Sequence, residues 1–258
     1  MKGLCLTSLS PSQDVVNGFI SRIQPYGLEV TGHFWTDDLQ KMAWMEPRDM
    51  VADPKNALWA ILGSKQDFEK ADIRCGLSLL ALAAQARQNS PLNILIFQNG
   101  EDAVLPEDLP TPLKEADVYL LSDTNLGAKL VARAHQSKNK AESDYFIDIH
   151  GNEHIGLWFE IRPTGDSWPG AMFGAAGGEV IFQAVGPAGE LPEKSVLNYP
   201  LQGLKLNLGD AEYTAWAVQN EINPETSYYA KLAGYPSSIL FGPYSTEESA
   251  DVYVMNLK

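Results

Sequence analysis

Along the first half of the chain, short apolar runs alternate with segments whose apolar residues recur every three or four positions. Beyond about residue 140 the rhythm changes to alternation by twos, broken repeatedly by Gly and Pro. The first pattern predicts strands at Leu4–Leu9, Leu28–Trp35, Ala57–Leu62, Leu92–Phe97 and Asp117–Leu121. Helices are predicted over Val15–Ile23, Leu39–Met50, Asp67–Arg87 and Asn125–His135. Ser10 is positioned to cap the first helix, with Pro11 opening it and Gln13 closing a capping box. The Asp67–Arg87 segment is apolar around most of its circumference and should be buried. Strands joined by helical crossovers imply a parallel sheet covered on both faces. The expected fold is therefore an α/β domain over residues 1–138, flavodoxin-like, with a mainly parallel five-stranded sheet.

In such folds ligands bind beyond the carboxyl ends of the strands. Here those ends carry Ser8, Ser10 and Ser12 after the first strand, Asp37 and Asp38 after the second, and Ser64 and Lys65 after the third. Hydroxyls at a helix start can receive an anion, although the same residues are what helix capping requires. The turn Ser8-Leu9-Ser10-Pro11-Ser12 lacks the glycines that a dinucleotide pyrophosphate needs. The first strand also ends without the acids of a phosphoryl-accepting receiver domain. The stretch Ser64–Leu80, with a Ser/Phe turn and a helix holding Cys75, resembles part of the TIR-like family. Leu77 stands where that family's enzymatic members carry a glutamate, so the resemblance does not imply nucleotide cleavage.

The polar segment Gln136–Ser143 reads as a linker to a second domain over residues 144–258. Most of the aromatic residues lie there, among frequent turn residues, which predicts a mainly antiparallel β domain, a sandwich or small barrel. Its first hairpin is expected to turn on Gly151-Asn152-Glu153. That register puts Tyr145, Ile147, Ile149, Leu157, Phe159 and Ile161 on one buried face. His150 and His154 then lie opposite one another on the outer face, with Asp148 nearby and Glu160 farther along. His150, His154 and Asp148 are thus candidate metal ligands. The literal H-x-x-E-H match at His150–His154 is not a peptidase motif, because that chemistry needs a helix and Gly-Asn marks a turn. Trp158, Trp168, Tyr199, Trp216 and Tyr228 are expected chiefly in the core. The small-residue run Gly170–Gly178 reads as a bulge or flexible loop leading into a strand. The last segment is ambiguous, with a capping-box pattern at Ser245–Glu248 followed by strand-forming Val252–Met255.

A net charge of −14 without any basic cluster excludes nucleic acid as an expected partner. No apolar run is long enough to span a bilayer, and the start of the chain has no signal-peptide pattern. Cys5 and Cys75 sit in apolar surroundings and read as buried free thiols, which suits a cytoplasmic protein. No cofactor is expected. No nucleophile–base pair can be assembled from sequence, so the leading expectation is a non-enzymatic protein binding a small molecule or another protein. The alternative is a hydrolase or transferase acting at the strand rim through Asp37, Asp38, Ser64 and Lys65.

Overall fold

The computed structural model describes residues 2–88, 91–100, 102–136, 143–245 and 252–258. The chain divides into two compact units, Met1–Lys140 and Ala141–Lys258. In the first, the apolar runs form β1 (Gly3–Ser8), β2 (Glu29–Phe34), β3 (Asn56–Gly63), β4 (Ile94–Gln98) and β5 (Asp117–Leu120). All pair in parallel, in the order β2-β1-β3-β4-β5, which is the flavodoxin-like order. Its helices are α1 (Gln13–Ile23), α2 (Arg48–Val51), α3 (Lys65–Glu69), α4 (Ala71–Arg87) and α5 (Leu126–His135).

The strands read as continuous apolar runs because both faces of the sheet are covered. Leu4, Leu6, Leu58, Ala60, Leu62, Leu95 and Phe97 pack with Val16, Phe19 and Ile23 of α1 and with Leu126, Leu130 and Ala134 of α5. The alternate residues, Cys5, Thr7, Trp59, Ile61 and Ile96, turn to the other face and are also out of water. α4 is buried over most of its length, from Ile73 to Ala84, as its all-round apolar surface requires.

Three helix boundaries differ from expectation. Leu39–Met50 forms a 3-10 turn at Ala43–Met45 followed by the four-residue α2, because Pro47 supplies no N–H to continue a helix. The long helix is divided at Lys70, which is extended with ψ 120°. Arg74 then donates to the carbonyls of Phe68 and Asp108, satisfying an acceptor that the break exposes. α1 begins after Ser12 rather than Ser10, and Ser12 makes no side-chain cap bond. Instead Ser8 Oγ donates to Ser10 O and Ser10 Oγ accepts from Ser12 N, so the serines build a local turn.

The second unit holds β6 (Tyr145–Asn152), β7 (Gly156–Pro163), β8 (Ala171–Ala176), β9 (Glu179–Pro187), β10 (Leu201–Leu208), β11 (Ala211–Val218), β12 (Thr226–Ala233), β13 (Ser238–Pro243) and β14 (Tyr253–Asn256). They form two antiparallel sheets, β6-β7-β12-β9 and β10-β11-β8-β13-β14. Phe159 and Tyr228 of the first meet Phe173 of the second, and Tyr145 meets Phe241 edge-on at 4.8 Å. These contacts are the seam of a β-sandwich. The ambiguous last segment resolves as a strand, with β14 paired to β13. The capping-box pattern at 246–248 and the central linker residues 137–142 lie outside the described residues.

Gly170–Gly178 is not a loop: it contains β8, which lies between β11 and β13. Its small residues reflect crowding, since a Cβ on Gly174 would stand 2.9 Å from Leu240 Cγ. The β6–β7 hairpin also departs from expectation. It turns on Glu153-His154-Ile155, and the strands pair Asn152 with Gly156, His150 with Trp158 and Asp148 with Glu160. Asn152 Oδ1 accepts from the backbone N–H groups of His154 and Ile155, and Gly156 takes φ +77° as the left-handed residue that such a turn needs. Both turns have three residues, so the faces are as expected while the turn moves by two residues and each cross-strand partner by four.

Because an L side chain is strained at that φ, Gly156→Ala should lower stability by about 1–2 kcal/mol in urea unfolding. Gly156→Asn should cost measurably less, since Asn tolerates the left-handed region. Equal tolerance of Ala and Asn would contradict this turn.

Candidate functional site

The rim residues are mostly occupied with local structure. Ser8 is buried, and its hydroxyl is committed to Ser10 O. Ser64 caps α3 in a capping box: Asp67 N donates to Ser64 Oγ, and Asp67 Oδ2 accepts from Ser64 N at 3.0 Å and Ser64 Oγ at 2.7 Å. Burial works against the Asp67 carboxylate, but bonds from Lys70 and Ser64 outweigh it and hold its pKa below the ordinary value. Asp38 accepts from Lys41 N, Asp37 is exposed, and Lys65 is 4.0 Å from Glu69. These are the bonds that helix starts and turns make in any case.

The concave surface lies instead around β2. One concavity of about 200 Å³ is lined by His33, Phe34, Trp35, Glu46, Pro47 and Met50, among others. Another, of about 220 Å³, reaches from Ser8, Gln13 and Val16 to the same His33 and Phe34. His33 had no partner visible in sequence. The parallel register sets it beside Thr7, whose hydroxyl is 2.9 Å from His33 Nε2. Trp59 Nε1–H donates to the same Thr7 Oγ1 at 2.8 Å. Phe34 O, 3.2 Å from Nδ1, can only accept, so the imidazole proton sits on Nδ1 and Nε2 accepts from the Thr7 hydroxyl. Burial lowers the His33 pKa, with the Phe34 carbonyl and the charge of Glu46 opposing it in part. The result is a neutral, oriented imidazole. Thr7 is fully buried, whereas His33 is half-buried and lines both concavities.

Trp35 completes the first concavity. Its ring edge fits against α4 only because residue 76 is glycine; a Cβ there would stand 2.7 Å from Trp35 Cζ2. The indole nitrogen is out of water and has no hydrogen-bond partner among the described residues.

In the second unit, the corrected hairpin register separates the two histidines. His154 is at the exposed turn tip, 3.5 Å from Glu153, away from the other candidates. His150 and Asp148 come together instead with Glu160, their ligand-type atoms all within 4.8 Å of one another. This outer face is not wet: Glu160 is 1% exposed and Asp148 6%. Glu160 Oε1 accepts from Ser227 Oγ at 2.7 Å, Arg162 Nη1 at 2.8 Å and Gly189 N at 2.9 Å. Glu160 Oε2 lies 2.7 Å from His150 Nε2. Tyr229 donates to Pro187 O and accepts from Glu190 N, so the segment following β9 is tied down beside Glu160. Burial, with the Glu160 charge beside it, pushes the Tyr229 phenol up to about 12. Burial alone would raise the Glu160 pKa, but bonds from His150, Ser227 and Gly189 prevail and set it below 4.5.

The other aromatic candidates on this unit do not form an exposed row. Trp158, Trp168 and Tyr228 are buried, with Phe182 edge-on to Trp158 and Lys231 over its ring. Cys5 and Cys75 are buried and outside any disulfide, and desolvation raises Cys5 to about 12, so it is not a reactive thiolate. No described helix is long and apolar enough to cross a membrane. Comparison with protein-family models gives no match, and comparison of the sequence with curated proteins gives none either.

Gly76→Ala should push Trp35 from its seat and cost about 1–3 kcal/mol in urea unfolding, the usual range for overpacking. A neutral effect would mean that Trp35 does not pack there. For Glu160 the sign follows from its lowered pKa. The ionised carboxylate adds stability above the unfolded value of 4.5, and loses it as pH falls through the lower folded value. The stability advantage of the wild type over Glu160→Gln, followed by near-ultraviolet circular dichroism, should therefore shrink between about pH 5 and about pH 3. An advantage that stays constant over that range would contradict the assignment.

Proposed function

We propose that the protein is a non-enzymatic binding protein whose first unit takes a small, neutral, partly aromatic molecule at the carboxyl edge of β2. The observation that carries this reading is the pair of concavities that share His33 and Phe34, with the aromatic Trp35 among the lining residues of one. An apolar, aromatic lining with a few convergent polar groups is the usual character of small-molecule sites. Their place at the carboxyl end of a strand agrees with where ligands enter this kind of sheet. A neutral ligand suits a neutral His33 and a chain of charge −14, both of which disfavour an anion. The serines and acids of the rim, engaged in capping and turns, support a framework role beside the site. Two buried cysteines outside any disulfide fit a reducing, cytoplasmic setting.

Screening a fragment library by amide chemical-shift mapping tests the proposal. Neutral aromatic fragments should shift His33, Phe34 and Trp35 together. Trp35→Phe, which shrinks the aromatic surface lining the first concavity, should weaken those hits several-fold. Hits confined to other surfaces, or unaffected by Trp35→Phe, would remove the site.

A further inference from the structure

The second unit carries a donor set that the β2 concavities do not involve. On the outer face of β6 and β7, Asp148 and Glu160 are direct cross-strand partners, with His150 one row away on the same face. Two carboxylates placed opposite each other on a sheet repel, and burial strengthens the repulsion. A cation between them relieves it.

How each carboxylate is held defines where that cation would sit. Glu160 Oε1 is taken by Ser227, Arg162 and the Gly189 N–H, so Oε2 is the oxygen turned to His150, 2.7 Å from Nε2. Asp148 Oδ1 accepts from Ile149 N at 2.7 Å, while Oδ2 lies 3.8 Å from the same Nε2. Both carboxylates are thus oriented by protein donors on one oxygen and converge with the other on a single imidazole nitrogen. Outer hydrogen bonds that fix the ligand atoms are what working metal sites have. Arg162 does not occupy the converging side: it bonds Oε1 and stacks over the Phe146 ring at 3.5 Å.

We propose that Asp148 Oδ2, His150 Nε2 and Glu160 Oε2 bind one divalent transition-metal ion, Zn²⁺ or Mn²⁺, through a nitrogen and two oxygens. One imidazole with two carboxylates suits these ions better than Ca²⁺, which prefers a larger all-oxygen set. Donor atoms already within 4.8 Å of one another need only small side-chain adjustments to meet an ion at about 2.0–2.2 Å. His150 Nε2 must give up its proton to the solvent as the ion enters, since it cannot hold both. His154, held at the turn tip, takes no part.

Calorimetric titration of the full chain, stripped with chelator and dialysed, tests this with ZnCl₂, MnCl₂ and CaCl₂. The expected result is one Zn²⁺ or Mn²⁺ per chain, bound at least about tenfold more weakly by both His150→Ala and Asp148→Asn, and unchanged by His154→Ala. Near-ultraviolet circular dichroism establishes which variants fold, and Asp148→Asn is read alone if His150→Ala does not. Absence of binding by both transition ions, binding undiminished in a folded His150→Ala or Asp148→Asn, or Ca²⁺ binding as tight as Zn²⁺ would each overturn the proposal.

Discussion

In the second unit a carboxylate held almost wholly out of water sets the terms for its surroundings. Leaving Glu160 charged at 1% exposure is tolerable only if its oxygens find donors, and four groups from four separate stretches of chain supply them. His150 comes from β6, Arg162 from β7 itself, Ser227 from β12 and Gly189 from the segment after β9. The bonds from Ser227 and Gly189 therefore tie together elements far apart in sequence. The same segment is anchored by Tyr229 through Pro187 and Glu190, so the outer face of this sheet is closed where a plain alternating strand would be wet. Removing any one donor would leave part of a buried charge uncompensated, which is far more costly than losing a surface pair.

The first unit solves a different problem. A parallel sheet buried on both faces leaves only its strand ends and edges for function. Here the ends are filled by the local bonds of Ser8, Ser10, Ser64 and Asp67, and the edge strand β2 is where the surface becomes concave. The Trp59–Thr7–His33 chain runs from the core out to that edge and, with the Phe34 carbonyl, orients the His33 imidazole there. Packing and candidate binding surface are thus linked by hydrogen bonds across the strands β3, β1 and β2.

Much of the fold was legible from periodicity alone. The five parallel strands, α1, α4 and α5, and most strands of the sandwich fall close to where apolar spacing places them, because burial of those side chains is what forms the elements. The failures have specific causes. β8 looked like a loop because its Gly174 answers to Leu240 and Ala215, neighbours distant in sequence. The hairpin register depended on whether the turn falls at Gly151-Asn152-Glu153 or at Glu153-His154-Ile155, and alternation cannot distinguish two turns of equal length. The resulting four-residue slide in pairing excluded His154 from the candidate cluster and brought Glu160 into it. His33 and Trp35 were invisible as site residues, since Thr7, Trp59 and Gly76 reach them only through parallel pairing and helix packing.

The pairing of β6 with β7 underlies both the buried carboxylate network and the donor set beside it. Cross-strand nuclear Overhauser contacts in the labelled protein measure it directly. They should join Asp148 to Glu160 and His150 to Trp158. Contacts joining His150 to His154 across the strands would contradict this pairing, and with it the assembly of Asp148, His150 and Glu160.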